Sequence, residues 1–387
     1  MKRLHSLDAL RGIAALTVVL WHWQHFFAIR TGALLYDKPR SLQPFYTVLM
    51  PFYEQGWAAV DLFFALSGYI FFWLYSQPIR EKRIGAGKFA VLRISRLYPL
   101  FLATLLGVAA LQQMYHRAMG QFFIYISNDW QHFVWSLAMA QQWLPSNVDQ
   151  SFDGPAWSIS IEVLLYIVFF LVVRAGLAKS WQTLSLAAAG MVLYRYNYMM
   201  GRGVMGFFMG GTIFYWADRL AARAQAKPIA WAICALAILA WTLTIGELYL
   251  SPLNDWVQSI IDDGPPRASQ FLAWMGNDLY LFVFIFVVAP LTIAALALHE
   301  RVLGGSNWRR LSFLGDISYS TYLLHFPLQL TLALIALHFG WAPQIFMTPY
   351  ALIAFYAALI GLGALSFNIF ERPMQKFLRR RASTSSA

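Results

Sequence analysis

An arginine and a histidine eleven residues apart mark the first place where this chain could do chemistry. Arg11 and His22 lie in LDALRGIAALTVVLWHW, residues 7–23, a run apolar enough to read as a membrane-spanning helix. Eleven helical steps return His22 to within about 20° of Arg11, roughly 16 Å further along the axis. One helix face thus presents a fixed cation toward one leaflet and a titratable imidazole toward the other. A lipid-facing arginine costs on the order of 3 kcal/mol or more, so this face must look into protein or a wet cavity.

Further polar groups fall inside apolar stretches, where the protein itself has to satisfy them. In DGPAWSISIEVLLY, Pro155 suits a helix start and Glu162 follows two turns below it. Glu162 and His22 are expected at a shared depth. A carboxylate bonded to one imidazole nitrogen fixes the tautomer and raises the basicity of the other, as a general base requires. Arg93 and Arg96 in RISRLYPL share one face at an inner boundary, either as a snorkelling pair or as a phosphate clamp. VDLFFALSGYI places Asp61 near an outer end and Ser67-Gly68 near mid-depth, where serine and glycine commonly serve backbone bonding and close packing. In LGDISYSTYLLHFP, His325 falls near mid-membrane, as a packing residue or a functional one. NIFERPMQKFLRRR suggests a Glu371–Arg372 pair and a helix broken at Pro373.

These groups need many helices to hold them, and the composition supplies them. Hydrophobic residues are 59% of the 387, charged residues 12%, and mean hydropathy is +0.53. A soluble domain is closer to a quarter charged, so the fold class is all-α and polytopic in a membrane. Cys234 is the single cysteine, which excludes a disulfide framework and a cysteine-based metal site. No metal is expected. Apolar spans are predicted at 7–27, 57–76, 89–111, 156–173, 181–199, 203–217, 228–247, 271–298, 313–339 and 349–371. The segment 132–144 is too short to span and reads as re-entrant or interfacial. With ten spans and an inside N-terminus, 19 Lys and Arg fall inside against 6 outside. Counting 132–144 as a span would export Arg219, Arg223, Lys227 and Arg379–Arg381, against the positive-inside rule. Both termini are therefore expected in the cytoplasm. The net charge of +11 is an orientation signal with some attraction to anionic lipid, and nucleic acid is not an expected partner. The expected outside stretches, 28–56 and 112–155, are rich in aromatics and glutamine, which suit a sugar face or an interfacial belt. Residues 377–387 read as a basic, disordered tail after a membrane domain over 1–376.

Taken in order, R-x10-H, LFFALSGY, R-x-x-R, WSISIE, LGDISYSTYLLHFP and IFERP resemble the acyltransferase-3 family of bacterial membrane acyltransferases over nearly the whole chain. The resemblance implies a ten-helix core in the bacterial cytoplasmic membrane. It implies an acyl-CoA co-substrate, most often acetyl-CoA, rather than a resident cofactor. It implies O-acylation of an exported or cell-surface saccharide or glycolipid. It also implies functional roles for Arg11 and His22, donor contacts for Arg93 and Arg96, and a role for Glu162. His22 would act as base or as covalent acyl carrier, and Glu162 would be catalytic with it. Asp61, Ser67, Trp157, Ser158 and His325 are the supporting positions. The chain lacks the fused extracytoplasmic esterase-like domain of one subgroup, which leaves open a periplasmic partner or a homo-oligomer. The rival reading is a secondary transporter with an Arg/His/Glu path, but inverted repeats and paired broken helices are not evident.

Overall fold

The computed structural model describes residues 3–32, 40–144, 149–251, 255, 278–304 and 307–384. Lys2, Arg267, the first residues of the predicted span 271–298 and the end of the tail (385–387) lie outside these. Among the described residues the ordered elements are all helical. α1 (His5–Trp21) runs on as a 3-10 segment, His22–Ala28. Then come α2 (Tyr46–Gln55), α3 (Ala59–Arg80), α4 (Ala86–Met119) and α5 (Trp130–Leu137). The middle of the chain forms α6 (Trp157–Arg174), α7 (Ser180–Tyr196), α8 (Tyr198–Ala221), α9 (Ala226–Leu250) and α10 (Asp278–Leu303). The last elements are α11 (Ser312–Asp316), α12 (Ser318–His338), α13 (Pro349–Leu365) and α14 (Arg372–Thr384).

Seven helical stretches among the described residues are long and apolar enough to cross a membrane: Tyr46–Arg80, α4, Gly154–Arg174, α9, α10, α12 and Pro349–Ala382. The protein is an all-α, multi-pass membrane protein. The predicted spans at 7–27, 181–199 and 203–217 are also helical, as α1 with its 3-10 extension, α7 and α8. α5 has eight residues, a rise of about 12 Å, far short of a bilayer core. Asp129 caps it by accepting from the His132 backbone N–H at 2.9 Å, and that contact holds its carboxyl below the usual range.

Two helix crossings position the site. On α3 and α8, a β-carbon at Gly68 would overlap the Phe207 carbonyl, and one at Gly210 would overlap the Ala65 carbonyl. Only glycine lets these backbones approach so closely. α1 crosses α11 in the same way, Gly12 against Leu314 and Gly315 against the Asp8 carbonyl. The predicted span 313–339 is accordingly two helices with a break at Ile317. That break frees the Gly315 carbonyl and the Ser318 hydroxyl to face Arg11.

The C-terminal end departs from expectation. Glu371 does not pair with Arg372: its Oε1 accepts from the Ser320 and Ser366 hydroxyls at 2.5 and 2.9 Å, while Arg372 lies over the Phe367 ring. Pro373 does not end the helix. A wide π turn, Ser366–Glu371, precedes it, and the helix runs on through Pro373 to Thr384. The basic stretch from 377 continues helically to Thr384, and Arg379 Nε donates to Ser95 Oγ at 3.1 Å.

Candidate active site

A cavity of about 130 Å³ lies between α1, α3, α4, α6 and α12. Arg11, Arg93 and Arg96 line it together with Ser67, Ser158 and Glu162. It continues into a bay of about 480 Å³ through the shared residues Arg11, Tyr75, Arg93, Arg96 and Tyr319. Arg11 is held by its helix crossing: Nη2 donates to the Gly315 carbonyl at 2.5 Å and Nε to Ser318 Oγ at 3.0 Å. Arg93 donates to the Tyr75 hydroxyl at 2.6 Å and lies over the Phe71 and Tyr75 rings, 5.0 and 4.8 Å from their centroids. Its Nε has no partner among the described residues. Arg96 makes no hydrogen bond or ion pair among the described residues. Snorkelling would carry these side chains to solvent. Instead Arg93 is 8% exposed and both face the cavity. Deeper in, Glu162 Oε1 accepts from Ser67 Oγ at 3.0 Å and from the Tyr166 hydroxyl at 2.5 Å. Ser67 is therefore a carboxylate partner, beyond any role in packing.

The floor is Tyr322. Its hydroxyl is 2.6 Å from the Pro155 carbonyl and 2.7 Å from Ser158 Oγ, both on the turn and first residues that open α6. Immediately behind it lies a histidine pair. His325 Nδ1 is 2.5 Å from the Tyr322 carbonyl, and its Nε2 is 3.2 Å from His22 Nδ1. His22 Nδ1 is also 3.0 Å from the Val18 carbonyl. Carbonyls only accept, so each neutral ring carries its proton on Nδ1. His325 Nε2 then accepts from His22, and His22 Nε2 is left with its lone pair and no partner among the described residues. His25 stands one 3-10 turn from His22, ring centroids 4.9 Å apart, and its Nδ1 is 3.1 Å from Gln329 Oε1. Gln329 Nε2 in turn donates to the His22 carbonyl at 3.0 Å.

The structure thus joins His22 to His325 and leaves Glu162 in a different network. Glu162 is not the group that orients His22. Their depths are similar, but the Tyr322–Ser158 contact stands between the cavity that Glu162 lines and the imidazoles. Asp61, expected as a supporting position, is bound away from the histidines. Arg202 grips it through Nε at 3.0 Å and Nη2 at 2.7 Å. The guanidinium lies over Trp57, Trp157 and Tyr198, 4.8, 5.4 and 5.2 Å from their centroids, so Trp157 belongs to this cage. The predicted spans 181–199 and 203–217 leave Arg202 between them, yet it is inside α8 and 4% exposed. Across the Pro155 turn, Asp153, Ser151 and Gln141 line a small polar pocket. Neither carboxylate oxygen of Asp153 has a partner among the described residues, and burial pushes its carboxyl well above the usual range. Among the described residues no His, Cys, Asp and Glu group could hold a metal ion.

A family described as an acyltransferase domain matches residues 4–366. The chain belongs to the acyltransferase-3 family. This acyltransferase is 26% identical over 415 positions to "Acyltransferase MdmB" of Streptomyces mycarofaciens, across all of its own length and 95% of that protein. It is 26% identical to "Putative peptidoglycan O-acetyltransferase YrhL" of Bacillus subtilis (strain 168), over 83% of this chain and 48% of that one. A 109-residue stretch is 35% identical to "Protein 2 in picA locus" of Rhizobium radiobacter, covering 28% of the acyltransferase. No solved structure matches it.

Proposed function

We propose that this membrane acyltransferase moves an acetyl or other acyl group from acyl-CoA to a hydroxyl of an exported or cell-surface saccharide or glycolipid. We place it in the bacterial cytoplasmic membrane, with ten spans and both termini inside. The observation that carries the chemistry is the histidine relay, because it leaves His22 Nε2 as an unprotonated base with no hydrogen bond to break. The arginine-lined bay and cavity support the donor side: phosphates outside, thioester toward Glu162 and Tyr322. The roughly 16 Å along α1 from Arg11 to His22 suits an extended pantetheine arm. The O-acetyltransferase name of one relative supports the hydroxyl acceptor. In the transfer step, with Tyr322 displaced from the Pro155 turn, the acceptor oxygen bonds to the thioester carbon while its proton passes to His22 Nε2. The carbon–sulfur bond then breaks, and the thiolate takes that proton from His22 Nε2 and leaves as CoA.

The test uses the purified protein in nanodiscs with acetyl-CoA and a soluble peptidoglycan glycan fragment, reading free CoA and acetylated product. His22→Ala and His325→Ala should each abolish most turnover, and the double variant should be little worse than His22→Ala, since groups acting as a unit are not additive. Acetyl-CoA binding should persist in all three. Full turnover in His22→Ala would refute the mechanism, and multiplying losses would refute the relay.

A further inference from the structure

The bay at the cavity mouth holds more positive charge than its own acids neutralise. Arg3 is compensated, with Nε 2.5 Å from Asp8 and Nη2 2.6 Å from Asp316. Glu371 is turned to serine hydroxyls. Arg93, Arg96 and Arg379 all line the bay, and none has a carboxylate within 4.0 Å among the described residues. Three unpaired guanidinia facing one space are costly unless an anion joins them.

Arg379 comes from α14, beyond the stretch 4–366 that the family covers. The helix continues through the π turn Ser366–Glu371 into α14, which lies against α4. There Arg379 Nε donates to Ser95 Oγ at 3.1 Å, and Nη2 reaches toward the Leu92 carbonyl at 3.5 Å. Its anchor is thus on the same turn of α4 that carries Arg93 and Arg96. Those two line both the inner cavity and the bay, whereas Arg379 lines only the bay.

Resting on the acyl-CoA reading, we infer that Arg379 recognises the 3′-phosphate of the donor and makes α14 part of the binding site. The order of groups in coenzyme A fits the order of arginines. With the thioester in the inner cavity, the diphosphate falls at Arg93 and Arg96, where cavity and bay meet. The ribose 3′-phosphate is the phosphate furthest from the thiol, and of the three arginines without a carboxylate Arg379 is the one that lines the bay and not the inner cavity.

Equilibrium binding of CoA and of 3′-dephospho-CoA to the full-length protein in nanodiscs tests this. The unaltered protein should prefer CoA by roughly tenfold, the scale of one charge-assisted hydrogen-bonded contact. Arg379→Gln should lose that preference by weakening CoA alone, leaving dephospho-CoA binding unchanged, which also shows that the variant is folded. Arg379→Lys, which keeps the charge but not the fork, should retain part of the preference. Equal weakening of both ligands, or of neither, would overturn the assignment. So would an unaltered protein that binds both equally, a result that depends on no variant. An unaltered protein that binds neither ligand would refute the donor reading itself.

Discussion

Replacing Asp61 by Asn separates a structural carboxylate from a catalytic one. The Asp61 side chain is 0% exposed and that of Arg202 5%, joined by two hydrogen bonds between α3 and α8. Asn keeps the shape and removes the charge, leaving a guanidinium enclosed without an anion. Breaking a buried pair from one side costs about 3–5 kcal/mol. The Trp57, Trp157 and Tyr198 faces remain and offset part of this, roughly 0.5–2 kcal/mol for a desolvated cation–π contact. A loss of about 3 kcal/mol is expected, read as a shift in the denaturation midpoint by tryptophan fluorescence in mixed micelles. Asp61→Leu combined with Arg202→Met should recover most of it, because neither charge is then stranded. Turnover per folded molecule should change little. A loss below about 1 kcal/mol, or a double variant no more stable than Asp61→Asn, would show that the pair does not hold α3 to α8. A collapse of turnover at unchanged stability would make Asp61 part of the chemistry.

Gly68→Ala should be more damaging than an ordinary helix substitution, since the added carbon meets the Phe207 carbonyl and the two backbones must part. The expected cost is about 1–3 kcal/mol, the range for overpacking, with a parallel loss of acyl-CoA binding because Ser67 moves with α3. Wild-type melting and binding would refute that crossing. Asp153→Asn should stabilise the protein at pH 7–8. The buried carboxyl titrates above its unfolded value, so the folded state holds its proton more tightly, and stability falls as pH rises from the ordinary carboxylate range through the raised value. The variant's advantage should shrink toward pH 4 and vanish below it; an advantage that grows on acidification would reverse the sign and the argument.

The sequence read the fold class and the set of charged groups well, and their pairing poorly. Arg11, His22, Glu162, Arg93 and Arg96 stand out because an ionisable residue in an apolar run has few cheap roles. Which cation meets which carboxylate depends on the order of helices around the core, and spacing along one helix carries no record of it. Shared depth therefore points His22 toward Glu162, whereas His325 from α12 is the group that reaches it. Arg202 was hidden between two glycines at a break between apolar runs, where a loop charge is the ordinary expectation. Tyr166 and Tyr322 gave no signal among 19 tyrosines in a membrane chain, where tyrosine commonly marks an interface. His25 could have been found. A 3-10 segment eclipses positions three apart, so HWQH places both imidazoles on one side, but the change of helix type at His22 is set by packing.

The bond from Tyr322 to the Pro155 carbonyl has a consequence for the cell as well as for the reaction. Without it, the arginine bay, the Glu162 network and the three imidazoles would run end to end, a continuous polar file through an apolar body. Such a file is the construction of a proton channel. One aromatic ring, tethered to the turn that starts α6 and backed by the Ser158 hydroxyl, stands between the cavity and the imidazoles. A transferase that handles reactants through a bilayer has to remain an electrical insulator between turnovers. If the donor is the proposed acyl-CoA, displacement of Tyr322 by an arriving thioester would join the two polar regions only when a ligand already fills the cavity.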